Sequence, residues 1–272
     1  MSRNSQTHPA SHPGDLDDPG RPVVAHASDN PGPHHFPFHH HLRAQLVYAV
    51  AGVMTVSTAE GTWVVPPHQA VWVPPGVRHD VRSATSLAMR TLYIHPAATE
   101  GLPRTCCVVT VPPLLRELIL TAVTLPERYG PDGPEARLMA IIPDQLRRLE
   151  PEPLHLPIPA DRRLSAITDA LTDHPADGRS LADWARSAGA SERTLARLFR
   201  RETGMTFGAW RQRLRLLTAI SWLAEGRSVT SVAFDLGYES PSAFVAMFRR
   251  ELGAPPTRYL RAARSGEAGA AA

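Results

Sequence analysis

The side chains best equipped for chemistry in this chain are guanidinium groups. All 29 basic residues are Arg and none is Lys, and they are unevenly spread. From Asp161 onward 17 Arg stand against 12 Asp plus Glu, whereas the first 160 residues carry 12 Arg against 14 acids. A guanidinium is a planar fork that grips two phosphate oxygens at once, so an Arg-rich segment suits a phosphate partner. In SERTLARLFRRETG, residues 191–204, Glu192, Arg193, Arg197, Arg200 and Arg201 fall on one helical face, opposite Leu195, Leu198 and Phe199. An apolar face inward and an Arg-bearing face outward is what a helix needs to enter a DNA major groove. The other chemically active groups, Cys106 and Cys107, are adjacent. They offer no long-range disulfide, which favours a reducing cytoplasm.

Those outward faces need a frame, and it is written twice. LFRRETG and MFRRELG start 49 residues apart and agree at five of seven positions. The spacing predicts a helix capped by Ser180 and closed by Gly189, then a second from Ser191 to Gly204. The cycle repeats from Ser228 to Gly237 and from Ser240 to Gly253. Helix, short Gly-containing turn and helix is the helix-turn-helix pattern. Leu181, Trp184 and Ala185 form the first inner face together with Leu195, Leu198 and Phe199. Val229, Val232, Ala233, Phe244, Met247 and Phe248 occupy the matching places in the second. Between the units a helix of about 17 residues, stopped by Gly226, spans roughly 25 Å at 1.5 Å per residue. With a motif core at each end, that suits groove segments ~34 Å apart. Asp161 is a possible N-cap for one further helix before the first unit. The expectation is an all-α domain over 161–264 with units at 180–204 and 228–253.

This region resembles the AraC/XylS family of bacterial transcription regulators. The residues carrying the match are SLADWARSAGASERTLARLFRRETGMTFGAWRQRLRL and SVTSVAFDLGYESPSAFVAMFRRELGAPPTRYLR. The family hallmark is met by Ala233, Gly237, Tyr238, Ser240, Ser242, Phe244, Phe248, Arg249, Gly253, Pro256 and Tyr259. The resemblance covers about 100 residues and implies that both units dock on one face of a duplex. It implies base contacts from Arg193 and Arg197, with Glu192, Thr194, Arg200 and Arg201 beside them. The second unit departs, because its outward positions are Ser242, Val245 and Ala246. There the expectation is thymine methyls or DNA shape, with Ser240, Ser242 and Val245 at the groove and Arg249 and Arg250 on phosphates.

The N-terminal half reads differently. From about Gln45 to Ile94, stretches rich in Val, Thr, Tyr and Trp are punctuated by Gly and Pro, which predicts a small barrel or sandwich. HHHLRAQLVYAVAG and VPPGVRHDV resemble the two cupin motifs, H-x-H-x3-E…G and P-x-G-x2-H. That resemblance implies candidate metal ligands at His39, His41 and His79, with Gln45 where the family has Glu and Ser83 where it has Asn. Gln is a weak neutral ligand, so the cofactor stays open between none and a divalent metal. In the metal-free reading the His line an organic pocket, and Gln45, Trp63, Trp72 and Tyr93 are the candidate effector-binding residues. His40 is expected to point away, and His34 and His35 to lie in the tail.

The organisation read from these patterns is an α+β chain. Residues 1–35 form a disordered tail, 36–102 a cupin-like sensor barrel, 103–150 a helical pair able to serve as a dimer surface or to cover the barrel, and 151–160 a Pro-rich linker. The DNA-binding domain follows, with a second tail at 265–272. Pro143 is expected to bend or break its helix. No apolar run approaches the ~18 residues a membrane span needs. The function expected is a cytoplasmic transcriptional regulator, an activator or repressor, controlled by a small-molecule or metal effector. Its partners are promoter DNA, the effector, a second copy of the chain and RNA polymerase. The alternative is a metal-dependent cupin enzyme fused to a DNA-binding domain. An alkyl-transfer repair protein is a third reading, disfavoured because Cys106 and Cys107 lack a cluster of further Cys.

Overall fold

Stretches rich in Val, Thr, Tyr and Trp from Ala44 to Ile94 form antiparallel strands, and further strands extend the sheets at both ends. The computed structural model describes residues 18, 20–126, 128–152 and 154–265. The strands are β1 (Val23–Asn30), β2 (His34–His39), β3 (Ala44–Ala51), β4 (Met54–Ser57), β5 (Gly61–Val65), β6 (Gln69–Val73), β7 (His79–Ser83), β8 (Leu87–Ile94), β9 (Cys107–Thr110), β10 (Pro151–Glu152) and β11 (His155–Pro157). They form a six-stranded sheet in the order β1-β8-β3-β6-β9-β10 and a five-stranded sheet in the order β11-β5-β4-β7-β2.

Register decides which side chains meet. Gln45 pairs with Val73 and Tyr93, and Val47 with Val71 and Thr91, so these share one face of the larger sheet. Val47, Val71, Val73 and Val108 join Met54, Val56, Trp63 and Val81 of the smaller sheet in one buried core. The opposite face of the larger sheet presents Leu46, Tyr48, Trp72, Leu92 and Ile94 to a second core. That core is covered by α1 (Pro113–Ala122) and α2 (Pro134–Leu146), through Leu115, Ile119, Met139 and Ile142. Fully burying each Leu or Ile contributes about 1.5–3 kcal/mol, which holds the helix pair on the sheet. Covering the sheet is therefore one job of this pair. α2 runs through Pro143 rather than breaking there.

The remaining helices are α3 (Arg162–Asp173), α4 (Leu181–Ser187), α5 (Glu192–Thr203), α6 (Phe207–Ala224), α7 (Val229–Asp235), α8 (Pro241–Leu252) and α9 (Pro256–Ser265). Each expected boundary device is in place. Ser180, Ser191, Ser228 and Ser240 accept a hydrogen bond from a backbone N–H in the first turn of their helices. Asp161 does the same for α3. α6 packs on β5 and β11, so the helical and sheet regions share a continuous core.

Three expected boundaries change. Residues 23–35 are not tail, because β1 pairs with β8 along its length and β2 with β7. Arg43, 1% exposed, fixes the approach to β1 by donating to the carbonyls of Arg21 and Asp18. Residues 151–160 are not a free linker, because β10 pairs with β9 and β11 with β5. The segment 103–150 holds β9 before its two helices. The tail expected over residues 1–17 and 266–272 lies outside the described residues.

Candidate functional site

Two sites can be built from the residues upward. The first is the outward surface of the helix-turn-helix pair. In α5, Leu195, Leu198 and Phe199 are buried, which leaves Glu192, Arg193, Arg197, Arg200 and Arg201 exposed. Thr194 is half-buried, its hydroxyl 2.9 Å from that of Ser191 at the cap. In α8, Phe244, Met247 and Phe248 are buried. Ser242, Ala246, Arg249 and Arg250 are exposed, and Val245 is half-buried. Ser240 accepts from the Ala243 N–H at 3.2 Å, so its hydroxyl is first of all a cap. The structure thus brings together each expected set on its own helix. Two of the Arg have acidic neighbours: Arg201 pairs with Glu202 at 2.7 Å and Arg250 with Glu251 at 3.2 Å. Glu251 also accepts from Gln212 at 2.6 Å, which ties α8 to the connecting helix α6.

α6 holds eighteen residues, or about 27 Å at 1.5 Å per residue. That rod fixes the separation of the two units. Arg211 and Arg215 brace it by donating to the carbonyls of Arg179 and Pro175, at 3.0 and 2.8 Å.

The second site lies where β2 meets β7. His39 and His79 are register partners across that pair, and His41 follows two residues after β2 ends. One ring nitrogen from each of His39, His41 and His79 lies within 4.8 Å of the others. His39 Nδ1 is 2.7 Å from the Pro37 carbonyl and His79 Nδ1 is 2.9 Å from the Val77 carbonyl. A carbonyl accepts only, so the neutral form of either imidazole has its proton on Nδ1 and its lone pair on Nε2. His79 is 1% exposed. Burial pushes its pKa down to about 4, with the Val77 bond opposing, so it is neutral at pH 7. The His41 ring meets the Tyr93 ring edge-on at 5.2 Å.

This donor set fits a divalent transition metal. His79 Nε2 and Gln45 Oε1 are buried and have no hydrogen-bond partner. Such polar atoms are costly to bury alone, and each is a ligand type suited to such an ion. His39, His41 and His79 would hold it. A bound divalent ion would supply Lewis acidity and an anchor for an anionic group.

The expected aromatic wall does not assemble. Trp72 faces the helix-covered side of the larger sheet, donating from Nε1 to the Pro103 carbonyl at 2.8 Å. Strand alternation puts it on the opposite face from Gln45 and Tyr93. Trp63 lies in the core between the sheets and stacks on His155 of β11, centroids 4.5 Å apart and planes 11° apart. That stack was hidden because His155 sits in the proline-rich stretch. His35, expected in the tail, pairs from β2 with buried Asp80 at 3.2 Å, and His40 is exposed. Burial raises the thiol pKa of Cys106 to about 12 and of Cys107 to about 11, so neither is a poised nucleophile.

Comparison with known proteins covers both sites. A family model described as an AraC-like ligand binding domain matches residues 22–141, and one described as a helix-turn-helix domain matches residues 184–262. The HTH-type transcriptional regulator NimR of Escherichia coli K12 is 37% identical over 224 residues, 82% of either chain. RipA of Corynebacterium glutamicum, also an HTH-type transcriptional regulator, is 39% identical over 103 residues, 38% of this chain and 31% of RipA. Among solved structures, the DNA-binding domain of AdpA in complex with a target DNA is 32% identical. It covers 38% of this chain and 93% of that one, with a TM-score of 0.36.

Proposed function

From the premise that this chain belongs to the AraC/XylS family and is a DNA-binding transcriptional regulator, not an enzyme, we propose that its effector is read at the His39, His41 and His79 cluster. The single observation that supports this is the convergence of three imidazole nitrogens within 4.8 Å. The occupant is a divalent transition metal, alone or carrying a small organic effector on its open positions. Occupancy acts as a switch because the ion draws β2 and β7 together, which gives it unequal affinity for two arrangements of the sensor.

DNA is read mainly by the first unit. Arg193 and Arg197 contact base edges, flanked by Glu192 and Thr194, while Arg200 and Arg201 meet phosphates. The second unit reads shape or thymine methyls through Ser242 and Val245, with Ser240 capping α8 and Arg249 and Arg250 on phosphates. The chain works in the cytoplasm as a homodimer. Leu114 and Ile141, exposed at 57% and 45% on α1 and α2, supply the surface for a second copy. At the promoter RNA polymerase is the further partner.

The test is metal uptake and its effect on DNA selection. Purified chain is stripped with chelator, reloaded with Co(II), and examined for visible absorption bands and for the genomic fragments it selects. The expected result is stoichiometric uptake, lost in His79→Ala, and a different fragment yield with and without metal. No uptake, together with His79→Ala selecting like wild type under all conditions, rejects the proposal.

A further inference from the structure

Among the charged residues of α5, Glu202 alone is half-buried, and its carboxylate has two sets of partners. Oε1 accepts from Arg201 at 2.7 Å. Oε2 accepts from the backbone N–H groups of Ala160 and Asp161, at 3.1 and 2.9 Å. Those amides end the strap formed by residues 151–161. The strap begins as β10 on the larger sheet, continues as β11 on the smaller one, and passes Trp210, whose Nε1 donates to the Pro157 carbonyl at 2.9 Å. Ser165 donates to the Pro159 carbonyl at 2.8 Å, and Asp161 caps α3. The Glu202 side chain is only 17% exposed, against 58% for Arg201. A single carboxylate therefore joins an exposed Arg on a recognition helix to the segment that runs from β11 into α3.

We propose that Glu202 is a positioning residue that couples the sensor to DNA binding, restraining Arg201 in the free protein and gripping the strap more tightly once Arg201 turns to phosphate. The inference rests on the reading of Arg201 as a phosphate contact. A phosphate beside Arg201 shares the guanidinium charge and repels the carboxylate of the same sign. The carboxylate is left with the two backbone N–H groups as its main partners, and bonds to an anion strengthen as its other compensation is withdrawn. Linkage makes the effect reciprocal: a sensor state that presents the strap amides well favours the DNA-bound arrangement, and one that withdraws them opposes it.

The experiment needs no effector. The full chain is bound to a duplex that it selects from a random pool, and two quantities are read: amide hydrogen exchange at Ala160 and Asp161, and affinity against salt. In wild type the duplex is expected to slow exchange at both amides by about threefold or more. Glu202→Gln keeps an acceptor and drops the charge. It should bind about two- to fivefold more tightly at low salt and lose the DNA-dependent slowing. Arg201→Ala breaks the same junction from the exposed side, which keeps the test open if Glu202→Gln folds poorly. It should flatten the log K against log[salt] slope by about 0.9 and also lose the slowing. An unchanged slope in Arg201→Ala overturns the phosphate reading and this inference with it. A flattened slope with amides that ignore DNA, or with slowing that persists in Glu202→Gln, overturns the coupling alone.

Discussion

In the first helix-turn-helix unit Ser191 caps α5, Phe199 fills the core and Gly204 ends the helix at φ 70°; in the second, Ser240 caps α8, Phe248 fills the core and Gly253 ends it at φ 74°. The Phe side chains are both fully buried, but their neighbours differ. Phe199 lies near Phe207 and Trp210, at 5.4 and 6.3 Å, where the helical region meets the strap. Phe248 lies near Phe244 and Tyr259, at 5.8 and 5.6 Å. The outward faces diverge further, Arg193 and Arg197 on one against Ser242 and Ala246 at the matching places on the other. What recurs is what folding requires of a short helix pair; what differs is what each unit touches.

The strongest way to break this comparison is at the core. Phe199→Ala and Phe248→Ala should each cost about 3–5 kcal/mol by chemical denaturation, since both empty a close-packed site. Phe199→Ala should in addition raise proteolysis of the 158–161 segment, which Phe248→Ala leaves alone. Equal effects on that segment would mean that the strap does not distinguish the units.

Next in size is base reading. Arg197→Ala should lose about 1–3 kcal/mol of discrimination between the selected duplex and a scrambled one. Val245→Ala should lose under about 1 kcal/mol, as expected for a trimmed apolar contact. Comparable losses would contradict the division of labour.

The helix ends sharpen the shared half of the comparison. A Cβ at Gly204 or Gly253 meets nothing within 4 Å, so only the left-handed backbone resists a side chain. Gly204→Ala and Gly253→Ala should each destabilise by about 1–2 kcal/mol in thermal melts. Smallest are the caps, Ser191→Ala and Ser240→Ala, at about 1 kcal/mol each. A pair that differed by more than twofold would show that one unit is held by tertiary contacts rather than by its own ends.

The helix-turn-helix units were legible because their signals are local. Caps, left-handed Gly and the inner-face period all sit within a dozen residues, and the structure places each of them as expected. The central strands β3 to β8 were legible for the same reason. Of the five strands misjudged, β1, β2, β10 and β11 are the four sheet edges, and β9 is interior. An edge strand pairs on one side only and tolerates Pro and polar residues, so its composition imitates a tail or a linker. Its partner is also remote: Val23 pairs with Ile94, and His155 with Trp63. The histidine cluster was legible through its cupin-like spacing. The misplacement of Trp72 was a matter of register, since a one-residue step along a strand reverses the face. Glu202 could not be singled out, because an acid next to an Arg on a helix is ordinary until the strap is seen beside it.

The prolines that disguised the edges have a further effect. Pro37 lies in β2, Pro151 in β10 and Pro157 in β11, so three of the four sheet edges carry a residue with no N–H to offer. An open edge is a template on which another chain can add a strand, and a missing donor spoils the template. The same residues that close the sensor thus keep neighbouring molecules from aggregating through it, and replacing them with good strand formers would be expected to lower solubility before it lowered stability.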